Sequence, residues 1–342
     1  MELEDQPDPG RSAVAARQAM DLVGPFLGLI VVVGLFGAVA PEGFLSVFNA
    51  KTIATQTVIV GLAAIGATFI IRSGGIDLSV GSTIALASVV TALAMKAGLG
   101  ELPSALLGVL AGAAVGAING GLVTILRLPP FIVTLGTLGA ARGTAKWLAD
   151  EQKVDAPSGW LKQFMSKNPD ISGLPEVVRE NLPSWLILAP GVWLMGLSAL
   201  CAAFLLRRTI FGAWTTAIGS NEPTARLCGV PVERTKFAIY VLASATAGLA
   251  GVLQFGRLTV GDPTTAMGKE LDVIAAVVIG GASLSGGTGT ILGAMIGAFL
   301  MATLANGCNL SGVPNFVQEI LVGAIIVGAV TLDGLRSRRE GS

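Results

Sequence analysis

This sequence contains no histidine and few charged residues. None of the 342 residues is histidine, and only 13% are Asp, Glu, Lys or Arg. Without histidine, Ser-His-Asp hydrolysis and HExxH zinc proteolysis are excluded. The three cysteines lie far apart and form no CxxC pair, so neither a disulfide framework nor a zinc site is predicted. We therefore expect no enzyme, no metal site and no cofactor in this chain.

Net charge and nucleotide-binding motifs are also absent. The formal net charge is zero, so the chain has no overall positive field that would attract nucleic acid. No GxxxxGK[ST] motif occurs, because Gly268 and Lys269 are followed by Glu270. The chain is thus predicted to have no nucleic-acid partner and to bind no ATP through a P-loop.

What the sequence has in abundance is apolar segments. Hydrophobic residues make up 52% of the chain and the mean hydropathy is +0.74. Since about 20 apolar residues cross a bilayer, we predict an all-α, polytopic membrane protein with about ten transmembrane helices, two of them short and glycine-bounded. The predicted spans are 21–40, 52–71, 83–97, 105–126, 131–148, 185–206, 237–255, 271–280, 291–306 and 315–332.

The basic residues predict the orientation of these spans. With both termini inside, the short inner segments hold Arg11, Arg17, Arg72, Arg127, Arg207, Arg208, Arg226, Arg234, Lys236, Arg336, Arg338 and Arg339. The short outer loops hold only Lys51, Lys96, Arg257 and Lys269. The positive-inside rule therefore places both termini in the cytoplasm. The domains follow as an inner tail 1–20, a membrane domain 21–335 with an outer loop 149–184 and an inner loop 207–236, and an inner tail 336–342.

An internal repeat lies beside two of the spans. The pattern GGxxLSxG occurs as "GGIDLSVG" at 74–81, the first copy, and as "GGASLSGG" at 280–287, the second copy. Interrupted segments in corresponding positions indicate the moving parts of a transporter. The gating or translocation residues predicted here are Gly74, Gly75, Asp77, Ser79, Gly81, Gly280, Gly281, Ser283 and Ser285. Asp77 and Ser79 could cap a helix that starts near Val80, and Ser283 and Ser285 could do the same in the second copy. Capping, contact with a substrate or gate, and proton coupling through Asp77 all stay open.

Glycine also recurs at every fourth position in two places. Gly108, Gly112, Gly116 and Gly120 form one ladder, and Gly289, Gly293 and Gly297 form another. A helix face without side chains lets a neighbouring backbone approach closely. Both ladders therefore predict helix packing rather than contact with a substrate.

Five stretches resemble one known family. They are "SGGIDLSVGS" (73–82), "PPFIVTLGTLGAARG" (129–143), "AIGSNEPTARLCGV" (217–230), "KELDVIAAVVIGGASLSGGTGT" (269–290) and "ANGCNLSGV" (305–313). Together they resemble the membrane-spanning permease subunits of ribose/xylose-type sugar ABC importers of bacteria. The resemblance implies a subunit of the inner membrane that translocates a monosaccharide. It implies as partners a second permease copy, cytoplasmic ATPase subunits that use the ATP, and a periplasmic sugar-binding protein.

The same resemblance assigns the inner loop 207–236 to ATPase coupling. A short helix is predicted from about Glu222 to Cys228, ending at Gly229. The family pattern GxNxxAAxxxGI is matched at Gly219, Asn221, Ala225, Arg226 and Gly229. Thr224 departs from it, which leaves the docking geometry there open. An ordinary solvated loop is the alternative.

Three further charged residues are candidates for function. Arg142 lies inside the fifth span, where it either forms a structural ion pair or snorkels, or else lines the path or meets another subunit. Glu270 and Asp272 begin the eighth span, where the resemblance suggests a face near the binding protein. Both carboxylates would also suit the positive end of a helix without any partner.

Two other functions remain as alternatives. An ion-coupled secondary transporter of a small polar solute would need embedded ionisable groups, and Asp77 is the candidate for that role. An intramembrane enzyme would need an acid-base pair or a metal cluster, and the sequence indicates neither.

Overall fold

The computed structural model describes residues 9–40, 42–157, 159–170, 183 and 187–340. The predicted tail 1–20 and outer loop 149–184 therefore fall only partly within the described residues. The helices in chain order are α1 Pro9–Val39, α2 Val47–Arg72, α3 Val80–Lys96, α4 Glu101–Thr124, α5 Pro130–Leu148, α6 Trp160–Phe164, α7 Pro190–Arg208, α8 Ile210–Ser220, α9 Glu222–Leu227, α10 Val232–Leu258, α11 Lys269–Ile279, α12 Ile291–Leu310 and α13 Asn315–Glu340. Two short strands, β1 Val154–Asp155 and β2 Val260–Gly261, pair antiparallel.

The described chain is thus predominantly helical, as predicted. Five helices are long and apolar enough to cross a membrane, namely α2, α4, α7, α10 and α12. Each predicted span contains a helix, but α3 has 17 residues and α11 only 11. A helix of 11 residues is about 16 Å long, roughly half the hydrocarbon thickness, so α11 is too short to cross alone. The count of ten crossings stays a prediction.

Helix α2 forms the centre of the molecule. Its residues are buried along nearly the whole length, with Phe69 and Leu62 fully enclosed. Helix α10 packs against α2, α3 and α4, and α12 packs against α2 and α11. By contrast, α1, α7 and α13 expose large apolar side chains such as Ile30, Leu200 and Ile320. This arrangement, apolar both inside and outside, is that of a protein whose surroundings are lipid.

The glycine ladders pack helices as predicted, except at Gly289, which precedes α12 and has φ +128°. A methyl group at Gly112 would lie 2.5 Å from the carbonyl oxygen of Ser244, and one at Gly116 would overlap that of Tyr240. In the second ladder, Gly293 and Gly297 lie against the backbone of Gly280 and Ala276. The close contacts of α4 with α10, and of α12 with α11, thus depend on these glycines.

The described part of the predicted outer loop is folded. The N–H groups of Trp160 and Leu161 donate to the Glu101 carboxylate at 3.0 and 2.7 Å, which ties the start of α6 to α4. Strand β1 pairs with β2, and Lys153 lies 3.5 Å from Asp262. These contacts hold residues 153–155 against the loop that leads into α11 and the start of α6 against α4.

Candidate functional site

The first copy interrupts the chain between α2 and α3. The Asp77 side chain is 4% exposed, and its Oδ1 accepts from the Ser79 N–H at 2.7 Å and from the Ser79 hydroxyl at 2.6 Å. Helix α3 begins at Val80, as predicted. The predicted capping is not found: the Ser79 side chain makes no capping bond, and Asp77 accepts the N–H of Ser79, which precedes the helix, rather than an N–H of its first turn. Ser79 instead points its hydroxyl at Asp77.

A chain of buried hydrogen bonds continues from Ser79 into two further helices. The Asn119 amide of α4 donates to Ser79 Oγ at 3.0 Å, and the Thr137 hydroxyl of α5 donates to Asn119 Oδ1 at 2.6 Å. Thr134, also on α5, donates to the carbonyl oxygen of Ile76 at 3.2 Å. We call Asp77, Ser79, Asn119 and Thr137 the polar chain. It fixes the first copy to α4 and α5.

Tyr240 packs against the same copy from α10. Its hydroxyl is buried and has no hydrogen-bond partner among the described residues. A methyl group at Gly75 would lie 2.9 Å from that hydroxyl. Since buried hydroxyl groups normally find a partner, Tyr240 is an unusual neighbour for a segment expected to move.

The second copy has a different structure. Gly281, Gly286 and Gly287 have φ values of +89°, +90° and +78°, a region that side chains rarely adopt. The following helix, α12, begins only at Ile291, where Thr290 Oγ1 accepts the Gly293 N–H at 3.0 Å. The predicted capping by Ser283 and Ser285 is therefore wrong. Glycine turns delay the helix beyond both serines, and the Ser285 N–H donates to Ser283 Oγ at 3.3 Å.

The two copies meet each other and the end of α8. A methyl group at Gly286 would lie 3.0 Å from the Cα of Gly74 and 3.0 Å from the Cα of Gly219. At Gly219 a methyl group would overlap the carbonyl oxygen of Arg72. We call Gly74, Gly219 and Gly286 the glycine junction. It joins both copies to a residue of the predicted coupling loop.

Arg72 braces this junction. Its carbonyl oxygen accepts the Gly287 N–H at 2.9 Å, and its Nε donates to Thr216 Oγ1 of α8 at 2.9 Å. Its guanidinium also donates to the carbonyl oxygen of Gly289. The sequence indicated Arg72 only as a basic residue that orients the chain and did not predict these contacts. The available signal was an arginine ending an apolar run directly before the first copy.

The coupling loop contains the predicted short helix. Helix α9 spans Glu222–Leu227, with Asn221 Oδ1 accepting the Thr224 N–H at 2.9 Å at its start. At its end the Val230 N–H donates to the Ala225 carbonyl at 3.1 Å, and Gly229 has φ +82°. This is the glycine-terminated helix end that the sequence predicted. Ala225 is buried, so it packs the helix rather than forming its surface.

Ion pairs attach α9 to α10. The Glu222 carboxylate lies 2.5 Å from Lys236 Nζ and 3.3 Å from the Arg226 guanidinium, which also pairs with Glu233. Burial of Glu222 opposes its ionisation, but the hydrogen bonds from Lys236 and Arg226 outweigh this and lower the pKa of the carboxyl. The outward side of α9 carries Leu227, which is 89% exposed and was not singled out from the sequence.

Arg142 contacts the loop before α11. Its guanidinium donates to the carbonyl oxygens of Pro263 and Thr265 at 2.9 and 2.6 Å. Gln254 of α10 donates to Thr265 Oγ1 at 2.7 Å. Of the alternatives kept open, structural pairing fits these contacts, with backbone carbonyls rather than a carboxylate as the partners.

The carboxylates Glu270 and Asp272 are both half-buried. Glu270 Oε2 lies against Gly81 of α3, where a methyl group would overlap it. Asp272 pairs with Lys269 at 2.5 Å. Glu270 therefore contacts the end of the first copy, a proximity that no sequence pattern indicated.

The comparisons with known proteins decide the family. Residues 49–330 match the family described as branched-chain amino acid transport system / permease component. The chain belongs to this permease family. The ribose import permease protein of Bacillus subtilis is 39% identical over 93% of this chain and 94% of its own. The D-allose transport system permease protein of Escherichia coli is 36% identical over 93% of both chains. No solved structure gives a significant match.

Other relatives carry the same kind of name. The xylose transport system permease protein of Escherichia coli is 34% identical over 92% of both chains. The resemblance stated from the five sequence stretches is thereby confirmed. These relatives are transport permeases, not enzymes, and the family and the apolar helices together make this chain a multi-pass membrane protein.

Proposed function

We propose that this chain is the membrane-spanning permease subunit of a bacterial ABC importer that carries a monosaccharide. Its similarity to ribose, allose and xylose permeases supports the substrate class. The observation in the structure that carries the proposal is the glycine junction, where both interrupted segments touch Gly219. An ion-coupled mechanism has less support, because the Asp77 carboxylate is already engaged by Ser79.

The proposal includes the surroundings of the subunit. The chain lies in the bacterial inner membrane with both termini and the loop 207–236 in the cytoplasm, as the basic residues favour. Two cytoplasmic ATPase subunits use the ATP, a second permease copy completes the membrane core, and a periplasmic sugar-binding protein delivers the ligand. The permease itself needs no cofactor.

Coupling would run through the loop 207–236 as one unit. The buried cluster of Ile218, Ala225 and Val232 packs α8, α9 and α10 together, and the Glu222–Lys236 pair adds a charged contact. A force on α9 therefore reaches Gly219 at the end of α8. From there the glycine junction and Arg72 transmit the displacement to both copies, which reorient their spans between outward-open and inward-open states.

The translocation path would open beside the first copy. The polar chain positions the break between α2 and α3, while Arg142 and Gln254 hold the loop that leads to Glu270. Asp77 and Ser79 thus act by positioning the gate. Gly81 allows the Glu270 carboxylate to approach α3. Movement of α11 would therefore displace α3 directly.

The binding-protein face is proposed at the outer side of the same loop. Lys153, Asp262 and the β1–β2 pair form its described surface. Glu270 and Asp272 lie half-buried at the start of α11 behind it. Docking of the binding protein here would act on α11 through these residues.

The test is to place a charge on the exposed side of α9. Leu227→Glu should abolish co-purification of the ATPase and ATP-driven sugar uptake into proteoliposomes, because a carboxylate replaces an exposed apolar anchor. The fold should survive, since Leu227 is 89% exposed. Leu227→Met keeps an apolar side chain and is the matched control. The proposal would be overturned if the wild-type chain bound no ATPase and yet transported sugar with an ion gradient as the energy source.

A further inference from the structure

A large apolar cavity lies between α2, α7 and α10, away from the polar chain. Its volume is about 660 Å³, and its walls include Ile65 and Phe69 of α2, Leu200 and Phe204 of α7, and Leu242 of α10. Leu200 and Phe204 are 71% and 65% exposed, so the cavity opens sideways through the surface of α7. No charged residue is among those that line it in the described chain.

The cavity has the length of one lipid leaflet. The cavity is lined along α7 from Ser198 onwards, and its lining continues to Thr209, the residue that follows this helix. Eleven residues of helix rise about 16 Å, roughly half of a 30 Å hydrocarbon core. Apolar cavities do not hold water well. In a membrane, an opening of this depth and chemistry suits an acyl chain.

Two arginines stand at one end of the cavity. Arg207 and Arg208 end helix α7, are both exposed, and directly precede the lining residue Thr209. Basic groups beside a crevice between membrane helices attract anionic lipid headgroups. The distribution of basic residues places this end in the cytoplasmic leaflet. The charge therefore lies where a lipid with a chain in the cavity would carry its phosphate.

We propose that the cavity between α2, α7 and α10 is a binding site for an anionic phospholipid, with an acyl chain along α7 and the headgroup at Arg207 and Arg208. A zwitterionic lipid would place a positive group beside the two arginines, so the site selects a net negative headgroup. Arg207 and Arg208 belong to the loop 207–236, but the test of the lipid site requires neither ATP, sugar nor a partner protein.

Cys201 provides a direct probe, because it lines the cavity and is exposed. The other exposed cysteine of the described chain, Cys228, is removed by Cys228→Ser, and Cys308 is buried. The full chain is placed in nanodiscs of dioleoyl phosphatidylglycerol or dioleoyl phosphatidylcholine and reacted with N-phenylmaleimide. We expect labelling of Cys201 to be severalfold slower in phosphatidylglycerol, because a bound chain covers the thiol.

Variants assign the effect to the two arginines. Arg207→Gln with Arg208→Gln should remove the difference between the lipids, whereas the control Arg127→Gln with Arg234→Gln, two exposed arginines elsewhere, should keep it. Mass spectrometry of co-purified lipid should show that only the Arg207→Gln, Arg208→Gln double variant has lost phosphatidylglycerol. Equal labelling in both lipids would overturn the proposal. A cross-link between the Cys201 residues of two permease molecules would also overturn it, because a second permease would then occupy the cavity.

Discussion

The two copies of GGxxLSxG share a sequence pattern and differ in structure. In the first copy Asp77 and Ser79 are 4% and 0% exposed and belong to a hydrogen-bonded chain. In the second copy the corresponding Ser283 is half-buried and Ser285 is exposed. The first copy passes directly into a helix, while the second makes glycine turns before one. A repeat thus marks two breaks without making them equivalent.

One aligned position accounts for much of this difference. Val80 is the first residue of α3, whereas its counterpart Gly286 has φ +90° and sits at the glycine junction. Valine is strongly disfavoured at positive φ, so the first copy cannot adopt the turn of the second. Gly286 permits both that turn and the contact with Gly219. The polar chain therefore holds the first copy in place, while the second copy reaches Gly219 through its glycine turn.

The largest effect is expected from making the second copy resemble the first. Gly286→Val forces a β-branched residue to positive φ and places its Cβ 2.6 Å from the Gly219 carbonyl oxygen. Strain and overpacking together should cost about 3 kcal/mol. Thermal unfolding in detergent should show a clearly lower midpoint. Gly34→Ala is the matched control, because nothing lies within 4 Å of a methyl group there; an equal loss in both variants would contradict the account.

A smaller effect separates the two equivalent serines. Ser79→Ala removes the hydroxyl that joins Asp77 to Asn119 and should cost about 1–2 kcal/mol of unfolding free energy. Ser285→Ala changes an exposed side chain and should cost less than about 0.5 kcal/mol. The two variants are compared by thermal unfolding in the same detergent. Equal costs would show that the copies are energetically equivalent after all.

The smallest expected change concerns the residue behind the first copy. Tyr240→Phe removes a buried hydroxyl that has no partner among the described residues, while keeping the ring. The unfolding midpoint should stay the same or rise slightly, because no hydrogen bond is lost. A midpoint lowered as far as that of Ser79→Ala would mean that the hydroxyl is a bonded member of the polar chain.

Local features of the fold were predictable from the sequence. The start of α3 at Val80 and the end of α9 near Gly229 depend on nearby residues. The spacing of Gly112 and Gly116 predicted close helix packing, although not that the partner is α10. Helix capping was harder to predict. The second copy contains serines that resemble caps, but consecutive glycines moved the helix start to the cap Thr290.

Contacts between distant segments could not be predicted in this way. Gly74, Gly219 and Gly286 meet because the ends of α2 and α8 lie against the loop between α11 and α12, and no periodicity of a single segment encodes that. The sequence marks Arg72 only as a basic residue at the end of an apolar run, whereas its hydrogen bonds to Thr216 and Gly289 stabilise the junction. The side-chain amide of Asn119 had several possible partners until the packing of α3, α4 and α5 selected Ser79 and Thr137.

The central claim is that the glycine junction links the coupling loop to both copies. Its most direct test is ATP-driven sugar uptake by proteoliposomes that contain Gly219→Ala permease, its ATPase and its binding protein. A methyl group there overlaps the Arg72 carbonyl oxygen, so we predict an assembled complex that still hydrolyses ATP and has lost most uptake. Uptake at the wild-type rate by an equally assembled complex would contradict the account.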